Sequence, residues 1–156
     1  MKIETGLEAP GFTLYDSDKN KVSLQDFRGS NVLLLFFPLA FTSTCTKELC
    51  QVRDNLTFYN NSNSQVLGIS VDSLYTLKKY KEEQQLNFTL LSDFNKEVST
   101  AYDSIYLTFS YGMKGVGKRS AFIVDKTGVI SYAEILENAG EIPNFEAIEK
   151  ILRTGN

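Results

Sequence analysis

The hydrophobic and polar positions of this chain change period from one segment to the next, and each change marks an element. Phe12–Tyr15 and Lys21–Leu24 flank the polar run Asp16-Ser-Asp-Lys-Asn20, the pattern of a β-hairpin. Asn31–Phe37 (NVLLLFF) is continuously apolar, which predicts a strand covered on both faces. After Pro38 the period shifts. Cys45, Leu49, Val52, Leu56 and Tyr59 recur at steps of four, three, four and three, the stripe of an amphipathic helix. Gln65–Val71 (QVLGISV) predicts a second buried strand, and Asp72 or Ser73 caps a helix that places Leu74, Leu77 and Tyr80 on one face. Leu90–Leu91 is a short apolar piece, followed by a helix over Asn95–Tyr102. Arg119–Val124 and Val129–Leu136 read as strands joined by the turn Asp125-Lys-Thr-Gly128. Pro143 opens a terminal helix with Phe145, Ile148, Ile151 and Leu152 on one face.

The resulting order is β-hairpin, β, α, β, α, (β), α, β-β, α. Two βαβ units demand parallel pairing with right-handed crossovers, and the late hairpin adds antiparallel strands. The expected architecture is therefore α/β, a mixed central sheet flanked by helices with an N-terminal β-hairpin. The polar cluster Asn60–Ser64 is too short for an interdomain linker, so residues 1–156 are expected to form a single domain. A chain of 156 residues buries a sufficient core without staples.

Charge narrows the range of partners. The 16 basic and 19 acidic residues give a net charge of −3 with no dense basic tract; Lys114, Lys118 and Arg119 are spread through a glycine-rich loop. Nucleic acid and anionic membrane surfaces need a concentrated positive field, so neither is an expected partner. The start, MKIETGLEAPGF, lacks the apolar segment of a secretory signal, and Val32–Phe41 is far short of the ~20 residues of a membrane-spanning helix. A cytoplasmic protein is expected. There, closely spaced cysteines serve redox or metal chemistry more often than structure.

The candidate chemistry lies in FFPLAFTSTCTKELC, residues 36–50, which holds both cysteines of a chain without histidine. A closed zinc site needs four ligands, and two thiols with no imidazole do not supply them, so no metal is expected. A Cys–His dyad is ruled out. Activation of a thiol must come from a helix N-terminus, from Arg or Lys, and from hydroxyl groups. Cys45 sits in the first turn of the predicted helix, beside Thr42, Ser43 and Thr44, where free backbone N–H groups favour a thiolate. The competing reading makes Cys45 a small apolar member of the core stripe it shares with Leu49 and Val52.

Pro38-Leu-Ala-Phe-Thr42-Ser-Thr-Cys45 has the form PxxxTxxC and resembles the active-site signature of the peroxiredoxins. Glu48 stands where that family commonly has a glutamate, and Arg119 in GKRSAFIVD matches its pocket arginine. The likeness runs through APGFTL, GISVDS, FTLLSDF and the late hairpin, closest to the bacterioferritin-comigratory-protein-like and AhpE-like branches. It implies a thioredoxin-like fold and a thiol-dependent peroxidase needing no cofactor. In that scheme Cys45 attacks hydrogen peroxide or an organic hydroperoxide and becomes a sulfenic acid. Thr42 hydrogen-bonds thiolate and peroxide, Pro38 shields the thiolate and shapes the loop, and Arg119 stabilises the negative charge. Glu48 reads either as a helix-surface carboxylate or as a partner orienting an arginine.

By the same resemblance, Cys50 is the expected resolving cysteine, forming an intramolecular disulfide that thioredoxin or another thiol donor reduces. Two residues five apart on one helix are ~140° apart around its axis and ~7.5 Å apart along it. Their Cα atoms then lie ~8–9 Å apart, beyond the roughly 7 Å a disulfide spans, so the first helical turn must unwind. The alternative keeps Cys50 as a buried helix-face cysteine and leaves resolution to an external thiol. No cysteine follows Cys50, so the inter-subunit disulfide of typical two-cysteine members is unavailable, and Gly112–Gly117 does not match the GGLG motif linked with over-oxidation. The oligomer is open between monomer and homodimer. The remaining alternatives are a thiol–disulfide oxidoreductase, which usually has C-x-x-C, and a non-enzymatic redox sensor.

Overall fold

The computed structural model describes residues 3–154. The hairpin forms β1 (Thr13–Asp16) and β2 (Lys21–Ser23), closed by Asp16, whose carboxylate accepts the N–H groups of Asp18 and Asn20 at 2.8 and 2.9 Å. β3 (Asn31–Phe36) leads into α1 (Ser43–Asp54) and α2 (Leu56–Asn61). The single stripe from Cys45 to Tyr59 thus belongs to two helices, which meet at Asn55 (φ −113°, ψ 18°). β4 (Ser64–Ser70) and α3 (Leu74–Gln84) follow, and Ser73 caps α3 by accepting the Thr76 N–H at 3.1 Å. Next come β5 (Thr89–Ser92), α4 (Glu97–Ala101), the two-residue strands β6 (Ile105–Tyr106) and β7 (Val116–Gly117), β8 (Ser120–Val124), β9 (Ile130–Ile135) and α5 (Phe145–Thr154).

Among the described residues, seven strands make the central sheet in the order β2-β1-β5-β4-β3-β8-β9. β3, β4 and β5 run parallel, and the remaining pairings are antiparallel, as the order of elements requires. β3 lies inside the sheet and its alternate residues feed two cores. Leu33, Leu35 and Phe37 face a cluster with Cys45, Leu49 and Val52 of α1, Leu77 and Tyr80 of α3, and Ile148 and Leu152 of α5. Val32, Leu34 and Phe36 face the other, with Phe12, Val98, Tyr102 and Phe122. Burial on both faces is the reason the run shows no alternation.

The start of the terminal helix shifts, and one short pair of strands is added. Pro143 precedes α5 by two residues; Asn144 is the cap, accepting the Ala147 N–H at 3.1 Å. The β6–β7 pair, too short to leave a periodic signal, organises the segment before Arg119: Lys118 N–H donates to Ser104 O at 2.6 Å, and the Ser104 and Ser120 hydroxyls lie 2.8 Å apart. Among the described residues no helix is long and apolar enough to cross a membrane.

Candidate active site

β3 ends where Phe37 N–H bonds Ile69 O at 3.0 Å; Pro38, with no N–H to donate, turns the chain out of the sheet. Ala40 N–H is held by the Asp72 carboxylate at 2.8 Å, and Phe41 adopts a left-handed backbone, φ +66°. That conformation costs a non-glycine residue of order 1 kcal/mol and survives because its neighbours are pinned. Thr42 is the N-cap of α1 with extended backbone (φ −101°, ψ 153°), and Cys45 is the third helical residue. The first intrahelical bond, Thr46 N–H to Thr42 O, spans 3.0 Å, so the N–H groups of Ser43, Thr44 and Cys45 have no intrahelical acceptor.

The sheet delivers the arginine. Ser120 of β8 is in register with Phe36 of β3, which sets Arg119 beside the exit of β3. All three guanidinium nitrogens are used. Nη2 donates to Cys45 Sγ at 3.3 Å, Nη1 to Glu48 Oε1 at 2.6 Å, and Nε to Ala139 O at 3.0 Å. Its backbone N–H meets the Tyr106 hydroxyl at 3.4 Å. The planar fork of arginine matches this three-way geometry, which a lysine could not reproduce. Arg119 is 2% exposed, Cys45 1% and Glu48 0%. Arg119 is therefore not a solvated loop charge, and Glu48 is not a surface carboxylate: standing three residues beyond Cys45, it shares the buried face of α1.

Burial, outweighing the attraction of Arg119, pushes the Glu48 carboxyl up to about 7, with the Glu134 charge adding to the rise. Among the described residues its Oε2 has no hydrogen-bond partner. Because the folded protein binds this proton more tightly than the unfolded chain, the Glu48 contribution to stability is full below about 4.5 and falls as pH rises through about 7. Denaturant titrations across this range should show that decline in the parent and a flatter profile in Glu48→Gln. Equal slopes in both proteins would contradict the assignment. Arg119 itself is raised: burial opposes its charge, but Cys45 and Glu48 together more than offset it.

The thiol opens on a cavity of about 200 Å³ lined by Thr42, Ser43, Thr44, Cys45, Phe109 and Arg119, with Ser110, Ala139 and Gly140 closing it. Thr42 lines this cavity. Its Oγ1 donates to Leu39 O at 2.8 Å, so its one proton is committed, and its lone pairs are left for a ligand in the cavity. Pro38 is buried but does not line the cavity; it shapes the loop from behind. Of the apolar residues Phe37, Phe41, Leu107 and Phe109, the cavity is walled by Phe109; Phe37 is core, Phe41 is 49% exposed, and Leu107 is 82% exposed. A larger cavity of about 470 Å³ lies between β1, α4 and the Asp93–Asn95 turn and shares no residue with this one.

Cys50 lies on the same unbroken helix as Cys45, half-buried, with its thiol 3.6 Å from Gln84 Oε1. The two are not bonded. Residues of the site that carry no sequence signal are Tyr106 and Ala139, brought to Arg119 from the segments flanking β8–β9. Glu48 had one, its spacing from Cys45.

A thiol held at a helix start by a buried arginine, on this sheet, defines the class of thiol-dependent peroxidases built on the thioredoxin fold. Residues 5–133 match the AhpC/TSA family, and the chain belongs to that family. It is 41% identical over 143 residues to alkyl hydroperoxide reductase E of Mycobacterium tuberculosis, covering 90% of each chain. Its fold is similar to that of peroxidoxin BcpB from the same organism (TM-score 0.87, 24% identity, 99% of each chain). The reduced 2-Cys peroxiredoxin of Plasmodium vivax is similar as well (TM-score 0.82, 29% identity, 96% of this chain and 80% of that one). The protein is a thiol-dependent peroxidase that reduces a peroxide at the expense of a thiol.

Proposed function

We propose that Cys45 is the peroxidatic residue, that Arg119, Thr42 and the N–H groups of Thr44 and Cys45 bind the peroxide, and that Cys50 resolves the product. The observation that carries this reading is the 3.3 Å bond from Arg119 Nη2 to a Cys45 thiol that lines an open cavity. The Cys45 thiolate attacks the nearer peroxide oxygen. An S–O bond forms, the O–O bond breaks, and the sulfur gives up two electrons. The departing oxygen takes a proton and leaves as water or an alcohol, and Cys45 holds a sulfenic acid. Arg119 and the N–H groups sit where negative charge moves from sulfur to the leaving oxygen, so they stabilise the transition state more than the ground state. Thr42 accepts a hydrogen bond from the peroxide O–H and aligns it, and Pro38 shapes the loop that carries Thr42.

The Cys50 thiol then displaces the hydroxyl of the sulfenic acid: the S–S bond forms, the S–O bond breaks, and water leaves with the Cys50 proton. Thioredoxin or a similar dithiol protein returns two electrons. A reducing cytosol suits a pair that must be restored to thiols at every cycle. The Phe109 wall and a volume of about 200 Å³ accommodate hydrogen peroxide and small organic hydroperoxides. The similarity to alkyl hydroperoxide reductase E favours the latter. Exposed Phe41, Leu107, Tyr111 and Met113 support a homodimer formed on the active-site side, with the monomer as the other state.

Mass spectrometry after one equivalent of peroxide tests the cycle. The expected product is a Cys45–Cys50 disulfide in the parent and a stable Cys45 sulfenic acid in Cys50→Ser. A persistent sulfenic acid with Cys50 free in the parent would remove Cys50 from the scheme.

A further inference from the structure

Since Cys45 and Cys50 share α1, the disulfide requires one end of that helix to let go, and the contacts of α1 show which end. Its C-terminal part is tied to the end of α3 and to the segment that follows it: Arg53 Nη1 donates to Gln84 O at 2.7 Å, and Asn87 Nδ2, between α3 and β5, donates to Arg53 O at 3.2 Å. The first turn is held by two elements among the described residues. Arg119 takes Cys45 and Glu48, and Tyr80 of α3 meets Thr46, with 2.9 Å between the hydroxyls. Tyr80 is fully buried, and its ring lies against Phe41 and Phe37, with centroids 5.0 and 6.4 Å away. One side chain thus joins the strained loop to the first turn of the helix.

The two tethers respond differently to the reaction. The Arg119–Cys45 bond is strongest with a thiolate; once sulfur is a neutral sulfenic acid the ion-pair attraction is lost and the bond weakens, while Arg119 keeps Glu48. The Thr46–Tyr80 bond involves no reacting atom and is unchanged by oxidation. We propose that the Tyr80 hydroxyl is a positioning group that holds the first turn of α1 closed after Cys45 is oxidised, and so sets the rate at which Cys50 reaches it. The site's chemistry leaves the turn half released, and Tyr80 decides how long it stays wound. This rests on the reading of Cys50 as the resolving residue.

The burial of Tyr80 agrees with a committed, protonated hydroxyl: loss of solvent pushes it up to about 12, against the lowering effect of Thr46. A longer-lived sulfenic acid meets more peroxide, so the same contact sets the share of molecules oxidised onward to the sulfinic acid.

Tyr80→Phe removes the hydroxyl and retains the ring that supports Phe41. Rapid-quench mass spectrometry should show the Cys45–Cys50 disulfide forming about three- to tenfold faster, the range set by one net hydrogen bond. The bimolecular reaction with peroxide should change less than about twofold, and the sulfinic acid yield at high peroxide should fall. Thr46→Val should copy the effect, Thr46→Ser should keep the parental rate, and the Tyr80→Phe/Thr46→Val pair should equal either single change. A merely structural role would slow both steps or neither. A parental disulfide rate in folded Tyr80→Phe overturns the proposal. Amide exchange of Thr46 in the reduced protein separates this from the Cys50 question. If the parent forms no disulfide, the Cys50 reading fails; faster Thr46 exchange in Tyr80→Phe then still supports the tether, and unchanged exchange overturns it.

Discussion

Cys45→Ser is expected to lower peroxide turnover to background with every thiol donor, a loss of roughly 10³–10⁶-fold, the scale for removing a nucleophile from an otherwise intact site. The reason is chemical. A hydroxyl is scarcely ionised at neutral pH, and the electrons that break the O–O bond must come from an ionised, polarizable atom. The structural cost is small, because serine is nearly isosteric and its oxygen can still accept from Arg119. A shift of a few degrees in the melting temperature, about that of 1 kcal/mol in a chain this size, is the expected limit. Coupled turnover assays with dithiol and monothiol donors check the first statement, and calorimetry checks the second. Turnover surviving in a well-folded Cys45→Ser protein would move the chemistry to another residue.

Arg119→Met is expected to have the second-largest effect, and on two quantities at once. Removing a donor aimed at developing charge costs about 10²–10³ in the rate of peroxide reduction. It also leaves Glu48 in the core without its partner, and breaking a buried pair from one side typically costs ~3–5 kcal/mol at pH values where the survivor is charged. Here the penalty should shrink toward acid pH, since the loss of Arg119 removes what holds the Glu48 carboxyl down, and the group then keeps its proton. The Arg119→Met/Glu48→Gln double variant separates the two roles. It should regain most of the stability lost above neutrality and none of the rate. Recovery of both would mean that Arg119 acts only by holding Glu48.

Much of the site was legible in one short stretch. PxxxTxxC lies on a contiguous strand–loop–helix segment, where local rules operate: Pro38 ends a strand, Thr42 stands at the N-cap position of a helix, and Cys45 occupies its first turn. Arg119 could be nominated from the same likeness, but its burial could not. A lone arginine before a strand is ordinarily solvated. This one is enclosed because β6 and β7 pair in front of it and the Ala139 carbonyl closes over it. The same holds for Glu48, where spacing put it on the face of Cys45 and only packing turned a surface carboxylate into a buried partner. Thr42 shows the limit of analogy: its hydroxyl proton goes to Leu39 O, a local bond that leaves only its acceptor side for chemistry.

By itself the sequence determined the longer elements and their order, because hydrophobic period and turn chemistry are local properties of the chain; it left no trace of β6 and β7 and read α1 and α2 as one helix. It also determined that reactivity without histidine must rest on a helix start, an arginine and hydroxyl groups. The tertiary structure alone decided the three-way grip of Arg119, the buried state of Glu48, and the tie between Tyr80 and Thr46, which spans 34 positions in the chain. These depend on which faces meet when α1, α3 and β8 close around β3. Side-chain enclosure of that kind is set by distances across the sheet, which no spacing along the chain encodes.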